Sequence, residues 1–202
     1  DEIAVEIAAV LGHLVDVEEW TTVCSLAEVT PSPRLLHSLA DKGVIRLKED
    51  VENKHFSFLG GSLRDAILRR AYTAGRTVSH HQHAAALLRR VAGPRGQERL
   101  GRHLVGAEHR AAAIAPLTEA AKARKASADY WEAGSLMNQV LGLMEELELS
   151  PSDHRWANAL LMASELASER FDYAIAESRA KQAVKWAEDN REPLIRAKAL
   201  RL

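Results

Sequence analysis

Apolar residues in EIAVEIAAVLG (2–12) recur at helical spacing and stop at Gly12, which predicts a first helix. A second helix is predicted over 16–28 with Asp16 as N-cap. A third is predicted over 32–42, with Ser32 as the cap, Pro33 in the first turn and Gly43 as terminator. Beyond Gly43 the period falls to two: VIRLK (44–48) and HFSFL (55–59) alternate as strands do, and the polar EDVENK between them fits a hairpin tip. After Gly60 and Gly61 every segment reads as helix. Breaks fall near Gly75, at GPRG (93–96), around 127–129, at SPSD (150–153) and at 190–193.

Three helices followed by a two-stranded hairpin is the order of a winged helix-turn-helix. Residues 1–60 are therefore expected to be a winged-helix domain, 61–110 connecting helices, and 111–202 an array of helical hairpins. The array carries an internal echo. ADYWEAGSLMNQVLGLMEEL (128–147) and FDYAIAESRAKQAVKWAEDN (171–190) repeat Asp129, Tyr130 and Ala133 as Asp172, Tyr173 and Ala176, an offset of 43 residues. In the second copy Tyr173, Ala176, Ala180, Ala183 and Ala187 share one face, and small residues there let a neighbouring helix approach closely.

This pattern resembles the tetratricopeptide-type repeat, with Leu160, Ala163, Ser164 and Ala167 at the packing positions of a first helix and Ala176, Ala180 and Ala183 in the second. One repeat earlier the register gives Leu117, Ala120, Ala121, Ala133, Met137 and Val140, with Arg124 where a large apolar residue is usual. The spacing exceeds the usual ~34 residues, so the resemblance is to divergent, lengthened repeats such as those of the maltose-regulator-like group. The junction adds to it: LLHSLADKGVIRL, FSFLGGSLRDAILRRAY, then Arg76, His80, Ala84 and Leu87, then LGRHLVGAEHRAAAIAPLTEAA. These segments resemble the link between the winged helix and the helical sensor of a STAND-type signalling ATPase.

The resemblance implies a mainly α fold: a winged helix-turn-helix followed by a tetratricopeptide-like right-handed α-hairpin stack, truncated at its C-terminus. It also implies a regulatory segment of a larger bacterial signalling ATPase, transcription regulator or kinase. In that family the winged helix is a lever packed on an upstream nucleotide-binding domain of the same chain, and the array receives a protein or peptide partner, or an inducer. One position departs from the pattern. Where the family often carries a histidine facing the nucleotide, this chain has Gly60, so no nucleotide contact is carried over. A starting Asp1 and a final PLIRAKALRL inside a helical pattern fit a piece of a longer polypeptide.

With 202 residues, 47% of them hydrophobic, the chain has enough apolar surface for a proper core. No apolar run approaches the ~20 residues of a membrane span, and DEIAVEIAAVLGHL has acids where a secretory signal has bases, so a cytoplasmic location is expected. Lone Cys24, inside an apolar run, reads as a buried structural thiol.

The net charge of −1 conceals a basic middle: 5 basic against 11 acidic residues over 1–59, 13 against 4 over 60–128, and 9 against 13 over 129–202. The belt comprises Arg64, Arg69, Arg70, Arg76, Arg89, Arg90, Arg95, Arg99, Arg102 and Arg110. Such a belt suits docking of the acidic winged helix, an acidic partner or RNA, and a solvated helix surface gives the same count. The pairs Arg69–Arg70 and Arg89–Arg90 are the candidate partner-binding cations. Trp131, beside the repeat's tyrosine, is the candidate exposed aromatic among Tyr130, Trp131, Trp156, Tyr173 and Trp186.

Direct nucleic-acid binding is not expected of the winged helix. SPRLLHSLADKG offers only Arg34, His37 and Lys42, opposed by Asp41, and Glu49, Asp50 and Glu52 in the wing would repel phosphates. His80 and His83 in SHHQHAAALL stand at i,i+3, a spacing that chelates metal, while His81 points elsewhere. Without HExxH, CxxC or a nearby carboxylate at ligand spacing, the cluster reads as packing and neither metal nor cofactor is expected. No phosphate loop or nucleophile triad is present, so the segment is not expected to be an enzyme. A small-ligand sensor remains the alternative to a protein scaffold.

Overall fold

The computed structural model describes residues 1–49, 54–90 and 93–202. The chain is mainly helical with one small sheet, and it divides into two units. The first comprises Asp1–Val91 with His103–Glu108, the second Ala92–Arg102 with His109–Leu202.

In the first unit, α1 (Glu2–Leu11), α2 (Val17–Leu26) and α3 (Leu35–Asp41) precede a hairpin of β2 (Ile45–Glu49) and β3 (Lys54–Phe58). A short strand β1 (Leu14–Asp16) lies between α1 and α2, where the hydrophobic pattern predicts none. It pairs antiparallel with β3, Val15 opposite Phe56, so the sheet order is β1-β3-β2. Three residues are too short to display alternation, and β1 exists because β3 supplies its hydrogen bonds. Two more helices, α4 (Gly61–Thr73) and α5 (Thr77–Leu88), also belong to this unit, packing against α1 and, for α5, against α2.

Local chemistry explains these boundaries. Asp16 caps α2 as expected, its carboxylate accepting the Glu19 N–H at 2.8 Å. Ser32 does not cap α3. Its N–H and hydroxyl both bond the Asp1 carboxylate, its carbonyl closes a turn with the Leu35 N–H, and the helix begins at Leu35. After α3, Gly43 takes φ +67°, and the Val44 N–H reaches back to the Leu39 carbonyl at 2.9 Å, a close that favours glycine. The core gathers Ile7, Leu11, Val15, Trp20, Val23, Ile45, Phe56 and Phe58. Trp20 meets Phe56 edge to face at 5.6 Å and donates its indole N–H to the Ala4 carbonyl at 2.7 Å, so its polar atom is not left unpaired by burial. Cys24 is buried here, and desolvation pushes its thiol up to about 11, so it is an inert packing residue.

The second unit is helix on helix. Here α7 (Arg110–Ala126), α8 (Tyr130–Glu146), α9 (Arg155–Glu169), α10 (Tyr173–Asp189) and α11 (Pro193–Ala199) pack in succession, each against the next, and α9 also touches α11. A further helix, α6 (Pro94–Gly106), contributes its first residues to this unit and its last four to the first. Every packing position assigned from the echo is buried: Leu117, Ala120, Ala121, Ala133, Met137 and Val140, then Leu160, Ala163, Ser164, Ala167, Ala176, Ala180 and Ala183. Small side chains bring α9 and α10 close enough for the Ser164 hydroxyl to donate to the Ala176 carbonyl at 2.8 Å. Arg124 fits its odd place by pairing with Glu98 and Asp129, and those carboxylates push its guanidinium up from its ordinary value.

Four connections in this unit share one device. Ala128, Glu148, Phe171 and Arg191 all sit at positive φ, from 48° to 61°. The N–H of the following residue bonds a carbonyl five positions back: Asp129 to Arg124, Leu149 to Met144, Asp172 to Ala167 and Glu192 to Ala187. This is the glycine-type helix close made with side-chain-bearing residues, at a cost of about 1 kcal/mol each. Among the described residues no helix is long and apolar enough to cross a membrane.

Candidate interaction surfaces

The first unit uses several of the predicted residues internally. Glu6 of α1 is 1% exposed, and the guanidinium of Arg76 grips it with two hydrogen bonds, Nε to Oε2 at 2.9 Å and Nη2 to Oε1 at 2.6 Å. His80 Nε2 approaches the same Oε2 at 3.0 Å. Arg76 also reaches Glu2 at 3.1 Å, and Arg70 pairs with Glu2 at 2.7 Å. The Arg76 hydrogen bonds hold the Glu6 carboxyl below its ordinary range; burial opposes this and His80 reinforces it. The network ties α4 and α5 to α1, and in it His80 and Arg70 face carboxylates of their own chain.

His81 turns to His103 of α6, the two Nδ1 atoms 2.9 Å apart, so one ring donates and the other accepts. Burial, with a smaller contribution from His80, pushes His81 below its ordinary value. Gly106 makes room for the pair, since a Cβ there would stand 2.6 Å from the His81 ring. His83 is half-buried with its Nδ1 unpartnered. His80 and His83 thus share no partner, and among the described residues no three His, Cys, Asp or Glu side chains gather as a metal site would require.

The basic belt is partly neutralised. Arg64 donates to the Ala9 carbonyl, Arg102 pairs with Glu98 and Glu132, and Arg110 pairs with Glu146. Arg69, Arg89 and Arg90 are exposed and make no ion pair among the described residues. Asp50 and Glu52, expected in a wing, lie outside the described residues, as do the side chains of Glu49 and Arg95.

In the second unit a cavity of about 520 Å³ opens among α7, α8, α9 and α11. Ile114, Val140, Met144, Ala159 and Met162 give it an apolar floor. Thr118, Lys122, Arg155, Asn158, Glu165 and Lys198 give it a polar rim. Most rim charges are committed: Lys122 to Glu119, Arg155 to Asp153 and Glu165 to Lys125. The Arg155 bonds pull the Asp153 carboxyl down to about 2. Lys198 makes no ion pair among the described residues.

Val140 is singled out from sequence as a packing position, and none of the groove residues is named there as a candidate binding residue. Their signal was available in the i, i+4, i+7, i+11 spacing of Ala111, Ala115, Thr118 and Lys122, and of Arg155, Ala159, Met162 and, one position short, Glu165. Trp131 lies outside the groove, 76% exposed near the start of α8, with the Arg170 guanidinium over its ring. Trp156 and Trp186 instead pack with Ala157, Ala187 and Ile195.

The chain matches no protein-family profile, and neither a curated protein nor a solved structure is detectably similar to it.

Proposed function

We propose that this chain is a protein-interaction segment of a larger regulatory protein, in which the second unit is a tetratricopeptide-like array whose groove receives an extended or helical segment of a partner. The observation that carries the reading is the groove: an apolar floor with a polar rim, lined by residues of α7, α8, α9 and α11. Such a surface presents side chains from several repeats to one ligand at once. The first unit supports the accompanying reading as a winged helix. Its element order and β1-β3-β2 sheet suit that fold, and the STAND-type resemblance would make it a lever docked on a nucleotide-binding domain.

A cavity of about 520 Å³ also has the size of a small-molecule site, which favours a metabolite sensor as the second reading. One pair of experiments separates the two. Ala115 is exposed on the rim, and Ala115→Arg fills the groove without touching the core. If the groove takes a protein, affinity capture from source cells loses its specific partner with Ala115→Arg while the fold is retained. If capture is unchanged by Ala115→Arg and a metabolite raises the melting temperature of the parent chain, the scaffold reading fails in favour of the sensor.

A further inference from the structure

Arg170 follows the last residue of α9, and its guanidinium is held in an unusual seat. One face lies over Trp131, with Cζ 5.2 Å from the ring centroid. The group also lies against Gly134, one turn further along α8, where a Cβ would fall 2.4 Å from Nη1. A side chain at that position would expel the guanidinium. The seat supplies stacking but no acceptor: Nε is buried without a hydrogen-bond partner, and Arg170 makes no ion pair among the described residues. Asp129 is engaged by Arg124 and Glu132 by Arg102, while Glu169 and Asp172, the carboxylates next to Arg170 in the chain, make no ion pair with it. A half-buried guanidinium without an ion pair is poorly compensated and has hydrogen-bonding capacity for an anion from outside.

The surroundings specify what accompanies that anion. Phe171 and Tyr173, which follow Arg170 in the turn into α10, are 78% and 63% exposed and meet edge to face at 6.3 Å. Trp131, in contact with the guanidinium, and Phe171 and Tyr173, beside Arg170 in the chain, are three exposed large aromatic rings accompanying a guanidinium without an ion pair, the composition typical of interface hot spots. Arg102 and Arg124 at this end of α8 are already paired, so Arg170 is the guanidinium of this corner left without an ion pair among the described residues. That charge matches a carboxylate, whereas a phosphate dianion would remain half-neutralised.

We propose that this corner is a recognition site for a peptide segment carrying a carboxylate beside an apolar side chain. The carboxylate pairs with the edge of the Arg170 guanidinium, and the apolar side chain covers the exposed rings. No residue of the corner lines the groove of α7, α8, α9 and α11, so the site stands or falls separately from the groove reading.

The test uses the 202-residue chain with ¹⁵N labelling and two acetylated, amidated tetrapeptides, Gly-Phe-Asp-Gly and Gly-Phe-Asn-Gly. The Trp131 indole and Arg170 Nε–H cross-peaks report binding. The Asp peptide is expected to bind roughly tenfold more tightly than the Asn peptide, as one charge-assisted contact implies. Arg170→Gln abolishes that preference while leaving cross-peaks remote from the corner in place, and Trp131→Ala weakens both peptides. Equal affinity for the two peptides, or a preference that survives Arg170→Gln, overturns the proposal. So does the absence of any shift at millimolar peptide. Inorganic phosphate moving the same peaks as strongly as the Asp peptide would identify a general anion seat and overturn the peptide assignment.

Discussion

Replacing Glu6 by Gln tests the internal network of the first unit most directly. The substitution keeps the shape of the side chain and removes its charge. Arg76 then faces one acceptor oxygen where it had two, and the new amide N–H₂ turns a donor toward a guanidinium or an imidazole that also donates. At a site 1% exposed, water cannot replace what is lost. Hydrogen bonds to charged groups contribute about 1.5–3 kcal/mol each, and breaking a buried pair costs about 3–5 kcal/mol. Because Gln retains one bond, the expected loss is about 2–3 kcal/mol.

For a chain of this size that loss lowers the melting temperature by roughly 4–12 °C. The pH dependence has a definite sign. The folded carboxyl of Glu6 is depressed, so its contribution is complete above the ordinary glutamate value of ~4.3 and disappears as pH falls through the lower folded value. Urea unfolding followed by circular dichroism should therefore show a constant gap between parent and Glu6→Gln from pH 7 to pH 5, narrowing below about pH 4. A gap under about 0.5 kcal/mol at pH 7, or one that widens in acid, would refute the reasoning.

Three further outcomes follow from packing and backbone geometry. Glu148 at φ 48° should welcome glycine: Glu148→Gly is expected to raise the urea midpoint by the equivalent of up to about 1 kcal/mol, and a lowered midpoint would contradict the helix-close assignment. Gly106→Ala should cost about 1–3 kcal/mol, because the new methyl meets the His81 ring, and the His81 and His103 NMR signals should move together; unchanged stability would mean the rings are not packed as described. Ser164→Ala should cost about 1–2 kcal/mol by leaving the Ala176 carbonyl without its buried donor, against no measurable change if that carbonyl finds water.

Periodicity served best where the pattern was long and the partner helix was a sequence neighbour. On the face of residues 173–187 the four alanines are buried as expected, while Tyr173, assigned to the same face, is 63% exposed, because it opens α10 and lies at the end of the helix–helix contact. Where helices pack on their sequence neighbours the 3.6-residue period and the burial coincide. It failed where tertiary partners decide. Strand β1 is made by β3, and Ser32 abandons its capping role for Asp1, 31 residues away. Among the site residues, the histidine cluster was visible in sequence, but its division between Glu6 and His103 depends on partners 74 and 22 residues distant. Trp131 could be singled out. Its partner Arg170 could not, since nothing in a linear string distinguishes a guanidinium with a carboxylate from one without.

The stepwise packing of the second unit has a consequence for how it comes apart. Helices coupled mainly to their immediate successors behave as a one-dimensional chain of interfaces, so amide protons should exchange fastest in α11 and progressively more slowly toward α8. The groove interrupts that order, because α7, α8, α9 and α11 all line it while α10 does not. An occupant held there would act as a tie rod, and its signature would be the simultaneous slowing of exchange in four helices that otherwise fray one after another.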